Sequence, residues 1–431
     1  MLREKSKVLM ASAIAMSLAL TGCSGGESEQ PEPGANAVLD QTPVTLTMAT
    51  LGSGISDEEF KTMIADPVKA KYPFITVEYR KYQQGENFES MITAGFIPDM
   101  IYSGILDVPV LQKLDMQLDL NPLIKKYDVN LNDFESSTIE MIKRYGDKGQ
   151  IYSMPFSLGF PILLYNKDIF DRFGIAYPKD GMTWPETIEL ARKVTKTVDG
   201  ISYKGIGAMV ASRLSLTMLQ EKYDASGKAK LTTESWKQAM DIYRQLRMIP
   251  GNEGNPSEKM FRDNKNVAMM ATFNGGLGLL EENYKAGDVF NWDMVTFPSM
   301  PGKPLEVDTP LQIMTISAQS KYSDQAFLAL KAITSKENQM AMSKAARPAV
   351  LKDDAIKKAF GQDYASLKGK NIAAPFKHKH QPINRGNVYD NLVNPEINKA
   401  ADEIVKGEKD INTALREAEE RANKSIASYS K

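Results

Sequence analysis

The stretch "GQIYSMPFSLGFPILLYNKDIFDRFGI", residues 149–175, contains most of what the sequence says about the fold. Gly149 and Gln150 make a turn, and a short strand leads through Met154 and Pro155 into an irregular Phe156-Ser157-Leu158-Gly159-Phe160-Pro161 run. Ile162 to Tyr165 then reads as a buried strand, and a helix opens at Asp168 and stops at Gly174, where a glycine ends helices cheaply. Immediately beyond, Thr183-x-x-Glu186 supplies a capping box for a helix whose inner face is Ile188, Ala191 and Val194. A strand, an aromatic break, a second strand and two helices within about 45 residues are the mark of alternating α/β architecture.

The same alternation runs upstream. Val44, Leu46 and Met48 alternate with Thr45 and Thr47, a strand period. Ser56-x-x-Glu59 then gives a capping box before the helix face of Phe60, Met63, Ile64 and Val68, with a kink expected at Pro67. Ile75, Val77 and Tyr79 alternate again, completing a βαβ unit. Its first loop, Gly52 to Ile55, sits at the carboxyl end of a strand, where open α/β sheets gather their ligands, and "IPDMIYSG" at 97–104 delivers Ser103 and Gly104 to the same edge. From Pro43 onward roughly 390 residues are globular in composition, more than one core comfortably organises, so two lobes are expected.

The amino terminus is different in kind. A basic start (Arg3, Lys5, Lys7), an apolar run from Val8 to Leu20 and small residues up to Cys23 form an export-signal layout. Cys23 is the only cysteine in 431 residues, so it has no intramolecular disulfide partner. Residues 24–42, rich in Gly, Ser, Glu and Pro, bury almost nothing and read as a flexible leash. With 53 basic and 54 acidic residues, the near-neutral balance gives no support to nucleic-acid binding or to a polybasic membrane surface.

Several chemistries find no footing. His378 and His380, the two histidines, stand among lysines that repel a cation, and no cysteine remains to help, so no metal site is expected. No HExxH, P-loop, GxSxG or complete GxGxxG motif occurs. The three tryptophans, Trp184, Trp236 and Trp292, fit helix or strand packing better than a ligand platform. Most of the 23 methionines read as core filling.

In order along the chain, several segments resemble the extracellular solute-binding proteins of ATP-binding-cassette importers, the family that includes maltose-binding protein. They are Gly149-x-x-Tyr152-x-x-Pro155, Leu164-Tyr165-Asn166-Lys167-Asp168-x-Phe170, Thr183-Trp184-x-Glu186, Asn266-Val267-Ala268-Met269-Met270, "WDMVTFPSMPG" at 292–302, "ISAQSKYSDQAFLALKAITS" at 316–335 and the terminal "VKGEKDINTALREAEERAN". Leu20-Thr21-Gly22-Cys23 is similar to a bacterial lipobox, which implies cleavage before Cys23 and lipid on its sulfur. The resemblance implies a two-lobe periplasmic-binding-protein fold of type II, each lobe a mixed sheet flanked by helices, with a ligand cleft at the hinge. The expected parts are a signal peptide over 1–22, the lipidated cysteine and linker over 23–43, an N-terminal lobe of 44–158 plus 298–336, and a C-terminal lobe of 159–297 plus 337–431.

The function this resemblance implies is capture of a small polar solute, expected to be a sugar or oligosaccharide, and its delivery to the transmembrane subunits of a permease. The protein is expected to act as a monomer moored by lipid on the outer face of the cytoplasmic membrane, with no cofactor and no catalytic group. Hydroxyl-rich ligands need stacking faces and polar partners in a desolvated site. The candidates are Gly52, Ser53, Ser103, Gly104, Phe156, Phe160, Phe273, Asn274, Asp308, Gln312, Arg385, Asn387 and Tyr389. Phe156 and Phe160 are equally compatible with packing between the lobes, and the family's frequent tryptophan is replaced near Phe273. Two alternatives stay open: a non-sugar solute such as a peptide, polyamine or phosphorylated compound, and a lipoprotein glycoside hydrolase, which would need two carboxylates facing each other across the cleft.

Overall fold

Alternating apolar strands and capped helices build two five-stranded sheets, as seen in a computed structural model that describes residues 41–52, 54–218, 220–302, 306–377, 379–382 and 386–429. Cys23, Ser53, His378 and Arg385 lie outside the described residues. The strands are β1 (Val44–Leu51), β2 (Ile75–Tyr79), β3 (Met100–Gly104), β4 (Ser153–Leu158), β5 (Pro161–Asn166), β6 (Lys196–Val198), β7 (Ile201–Gly207), β8 (Val267–Phe273), β9 (Trp292–Thr296), β10 (Glu306–Thr309), β11 (Leu311–Ile316) and β12 (Lys379–Pro382).

The first sheet has the order β2-β1-β3-β11-β4; β1 runs parallel to β2 and β3, and β11 is antiparallel to both β3 and β4. The second has the order β6-β7-β8-β5-β9, with β7 parallel to β8 and β5 antiparallel to β8 and β9. A separate parallel ribbon pairs β10 with β12. In each sheet a strand that arrives from the other one, β11 in the first and β5 in the second, runs against both its neighbours, and β6 adds an antiparallel edge to β7.

Local chemistry accounts for the helices. Ser56 Oγ accepts from the Glu59 amide at 3.2 Å while the Glu59 carboxylate accepts from the Ser56 amide at 3.1 Å, the expected capping box. The kink expected at Pro67 takes the form of a π-helical turn over Lys61–Ala65, ahead of the proline that cannot donate to the ladder. The helix after β5 starts at Lys167 under an Asn166 cap and stops at Gly174, whose φ of 65° only glycine adopts cheaply. The Thr183 capping box opens Trp184–Val194, and Trp184 is fully buried, edge-on to Phe297 at 5.3 Å. Trp236 and Trp292 are likewise buried in packing.

Two passages between the sheets lie side by side. The first joins β4 to β5 through Gly159, the second reaches β11 through Pro310, and the Gly159 amide donates to the Pro310 carbonyl at 2.6 Å. A Cβ on Gly159 would come within 3.2 Å of the Pro310 ring, so a glycine permits this close approach. Asn274 secures the first passage: its side-chain oxygen accepts from the Phe160 amide at 2.6 Å and its own amide donates to the Phe160 carbonyl at 2.9 Å. Asn274→Ala is expected to lower the unfolding free energy by about 1–3 kcal/mol, because a buried amide loses its acceptor; urea denaturation at equilibrium measures this.

A third passage is drawn out. Gln339 donates to the Phe156 carbonyl at 3.2 Å, and Lys357 pairs with Glu135 at 2.6 Å, so the turns around Gln339 and Lys357 touch the first lobe. Ala346, Phe360 and Leu367 instead join the core around Ile162, Leu164 and Phe261 in the second.

Candidate functional site: a polar cleft between the lobes

Three strands point their carboxyl ends into one cleft. The loop after β1 contributes Gly52, the turn after β3 contributes Gly104, Ile105, Leu106 and Asp107, and the helix after β7 (Ala211–Thr217) contributes Ser212 and Arg213. Pro310, Leu311 and Gln312 add the second passage and the start of β11, while Lys222, Asp390, Asn391 and Asn394 close the second-lobe wall. The cleft encloses about 340 Å³, near the lower end of the 300–1,000 Å³ typical of small-molecule sites. Its first wall belongs to the lobe built on β1 and β3, its second to the lobe built on β7 and β8.

On the first wall, Asp107 is half-buried and accepts from the Gly104 amide at 3.0 Å. Burial pushes its carboxyl up to about 6, although the Gly104 amide and the Arg213 charge pull the other way. Gly52 makes room for it: with φ of 68°, a Cβ at this position would fall 2.3 Å from an Asp107 oxygen. Because the folded-state carboxyl lies above its ordinary 3.8, its contribution to stability is present below about pH 4 and is lost as pH rises through about 6. The loss is on the order of 1–3 kcal/mol. When urea midpoints at about pH 4.5 and 7.5 are compared, Asp107→Asn is expected to lack this component of the decline that the parent protein shows.

On the second wall, Lys222 and Asp390 form an ion pair at 2.6 Å with side chains only 11% and 14% exposed. Tyr223 donates its hydroxyl to Asp390 at 2.7 Å, and Lys222 also donates to Asn394 at 3.2 Å. Burial, reinforced by the Asp390 charge, drives the Tyr223 phenol well above its ordinary range. The guanidinium of Arg213, a residue that lines the cleft, lies over the Phe273 ring, 4.8 Å from its centroid, a cation–π contact.

Of the residues singled out from sequence, Gly52, Gly104 and Gln312 line the cleft. Gln312 also accepts from Ser157 at 3.1 Å. Ser103 is fully buried one residue behind Gly104, and its hydroxyl has no partner among the described residues. Phe273 reaches the cleft through Arg213, and Asn387 flanks it, its amide 3.3 Å from Asp390 and its side chain accepting from the Tyr389 amide at 3.0 Å. Tyr389 packs partly buried on the second-lobe core. Phe156 and Phe160 are not brought to the cleft: Phe156 packs edge-on to Tyr102 at 5.2 Å, and Phe160 against Phe376 at 5.1 Å. Asn274 is occupied by the passage, and Asp308 belongs to β10, opposite Gln381.

Sequence reasoning missed Asp107, Ser212, Arg213, Lys222, Asp390, Asn391 and Asn394. The rule that ligands gather at the carboxyl ends of parallel strands, had it been carried on to β7, would have reached Ser212 and Arg213. Among the described residues there is no cluster of three or more metal-ligating side chains, and no helix is long and apolar enough to cross a membrane.

Two mixed α/β sheets, joined by adjacent passages, face each other across a polar cleft. The chain belongs to the bacterial extracellular solute-binding protein family, whose model matches residues 63–367. Among solved structures it is similar to an ABC substrate-binding protein from Listeria monocytogenes in complex with cycloalternan, with a TM-score of 0.73 at 16% identity over 89% of this chain and 99% of that one. It is also similar to an ABC transporter solute-binding protein from Thermotoga lettingae bound with α-D-tagatose, with a TM-score of 0.68 at 19% identity over 88% and 99%. Among curated sequences, the sn-glycerol-3-phosphate-binding periplasmic protein of Agrobacterium fabrum is 44% identical over 46 residues, 11% of each chain. The chain thus matches only about a tenth of the length of those curated relatives.

Proposed function

We propose that this protein captures a small, neutral, polyhydroxylated solute, a sugar or short oligosaccharide, between its two lobes and hands it unaltered to an ABC permease. The observation that carries this reading is the composition of the cleft wall: Asp107, Arg213, Lys222, Asp390, Asn391, Asn394 and Gln312 converge from both lobes. Two acids and two bases sum to no net charge, and carboxylates, amides and cations together can serve both donor and acceptor faces of hydroxyl groups. Contacts from both walls matter because only interactions that differ between open and closed states move that equilibrium. Solved structures of the same fold hold cycloalternan and α-D-tagatose, which supports the saccharide class.

A lipid on Cys23, with residues 24–42 as leash, would keep the protein beside its permease; two or more acyl chains on one residue suffice for stable anchoring. The hydrolase alternative fits this cleft poorly, since Asp390 is already committed to Lys222 and Tyr223. A phosphorylated polyol is the second reading. It is favoured by Arg213 and Lys222 on one wall and by the 46-residue match to the sn-glycerol-3-phosphate-binding protein.

A thermal-shift screen with maltose, mannotriose, tagatose and sn-glycerol 3-phosphate tests both, because a ligand that binds only the folded state raises the melting temperature by mass action. The saccharide reading expects a shift with at least one sugar and none with the phosphate. A shift with the phosphate alone transfers the assignment to the second reading, and hydrolysis of the oligosaccharide in the same mixtures would overturn both.

A further inference from the structure

Away from the cleft-lining residues, the lobes meet at the end of the helix that follows β3 (Val108–Lys113). The Lys113 ammonium lies 3.7 Å from the centroid of the Tyr429 ring and also donates to the Tyr429 hydroxyl. Helix Val108–Lys113 belongs to the first lobe, burying Leu111 beside Phe88 and Ile101. Tyr429 ends the helix Ile411–Tyr429, which buries Ala414, Leu415 and Ala418 in the second-lobe core. Among the described residues Lys113 makes no ion pair, so its charge is spent on this ring.

The contact is wired toward the cleft. Tyr429 stands edge-on to Tyr389 with ring centroids 5.7 Å apart, and Tyr389 directly precedes Asp390. On the other side of the same loop, the buried Gly386 amide donates to the Tyr145 hydroxyl of the first lobe at 2.8 Å. Gly386 sits so close to Leu106 that a Cβ would fall 2.4 Å from the Leu106 carbonyl oxygen. Residues 386–390 are therefore held by the first lobe at one end and by the terminal helix at the other.

We propose that Lys113 and Tyr429 form a latch across the lobes that sets how far the cleft opens, independently of which solute occupies it. A contact that exists only while the two helices are near each other shifts the lobe equilibrium by its own strength. For an exposed cation–π pair that is about a two- to fivefold change in the ratio of open to closed molecules. Because the pair lies outside the cleft wall, removing it changes opening in the solute-free protein.

Nitroxide labels at Glu78→Cys on the first lobe and Glu282→Cys on the second, in the full chain with Cys23→Ser, report this by pulsed electron–electron distance measurement without any solute. Lys113→Met and Tyr429→Leu are each expected to raise the ratio of open to closed molecules about two- to fivefold, seen as population moving to the longer distance. The double variant should go no further than either single, and Lys113→Arg should restore the parent distribution. Distributions unchanged in both single variants, or effects that add in the double variant, would overturn the latch; circular dichroism melts confirm that each variant is folded.

Discussion

Replacing Lys222 with methionine is expected to destabilise the protein by about 3 kcal/mol and to abolish detectable solute binding. The two side chains of the Lys222–Asp390 pair are almost fully covered, so losing the ammonium leaves a buried carboxylate with the Tyr223 hydroxyl as its remaining strong donor. Breaking a buried pair from one side costs about 3–5 kcal/mol, much of it the desolvation of the abandoned charge. The same physics distinguishes stability from binding: the double replacement Lys222→Met with Asp390→Leu removes both charges, and should recover most of the stability while leaving binding absent. Equilibrium urea unfolding and titration calorimetry with the solute found by thermal shift read the two effects separately. A double variant that regained binding would show that this pair shapes the wall without touching solute.

Gly52→Val is expected to cost about 2–4 kcal/mol of stability and at least roughly tenfold in affinity. Two independent penalties add at this position. A backbone at φ of 68° is left-handed, which costs a residue with a side chain about 1–2 kcal/mol, and a β-branched one more. A Cβ would also occupy space held by the Asp107 carboxylate, 2.3 Å away, so Asp107 must leave its seat on the Gly104 amide. Gly52→Ala should show the same signs at smaller size. If Gly52→Val bound solute as tightly as the parent, Asp107 would not be a solute contact.

Features written by neighbours in sequence were legible from the sequence. The Ser56 and Thr183 capping boxes, the stop at Gly174 and the alternation in β1 and β2 depend on residues a few positions apart, and each local preference agrees with the final fold. The cleft was partly legible for the same reason: Gly52 and Gly104 end strands whose carboxyl edges collect ligands. Aromatics at irregular positions do not mark the cleft, because Phe156 and Phe160 break periodicity where the passages cross and pack against Tyr102 and Phe376. Asp390, Asn391 and Asn394 sit on the first turns of a long helix, where acids and amides are ordinary capping chemistry. Only the tertiary approach of Lys222 and Tyr223 turns them into a site.

The proposed function depends on a cleft that closes over its solute. Small-angle X-ray scattering of the protein, alone and with the saturating solute chosen by thermal shift, tests this most directly. Closure predicts a smaller radius of gyration and a shorter maximum dimension with solute, and loss of that change in Lys222→Met with Asp390→Leu. Superimposable curves with and without a solute that demonstrably binds would contradict it.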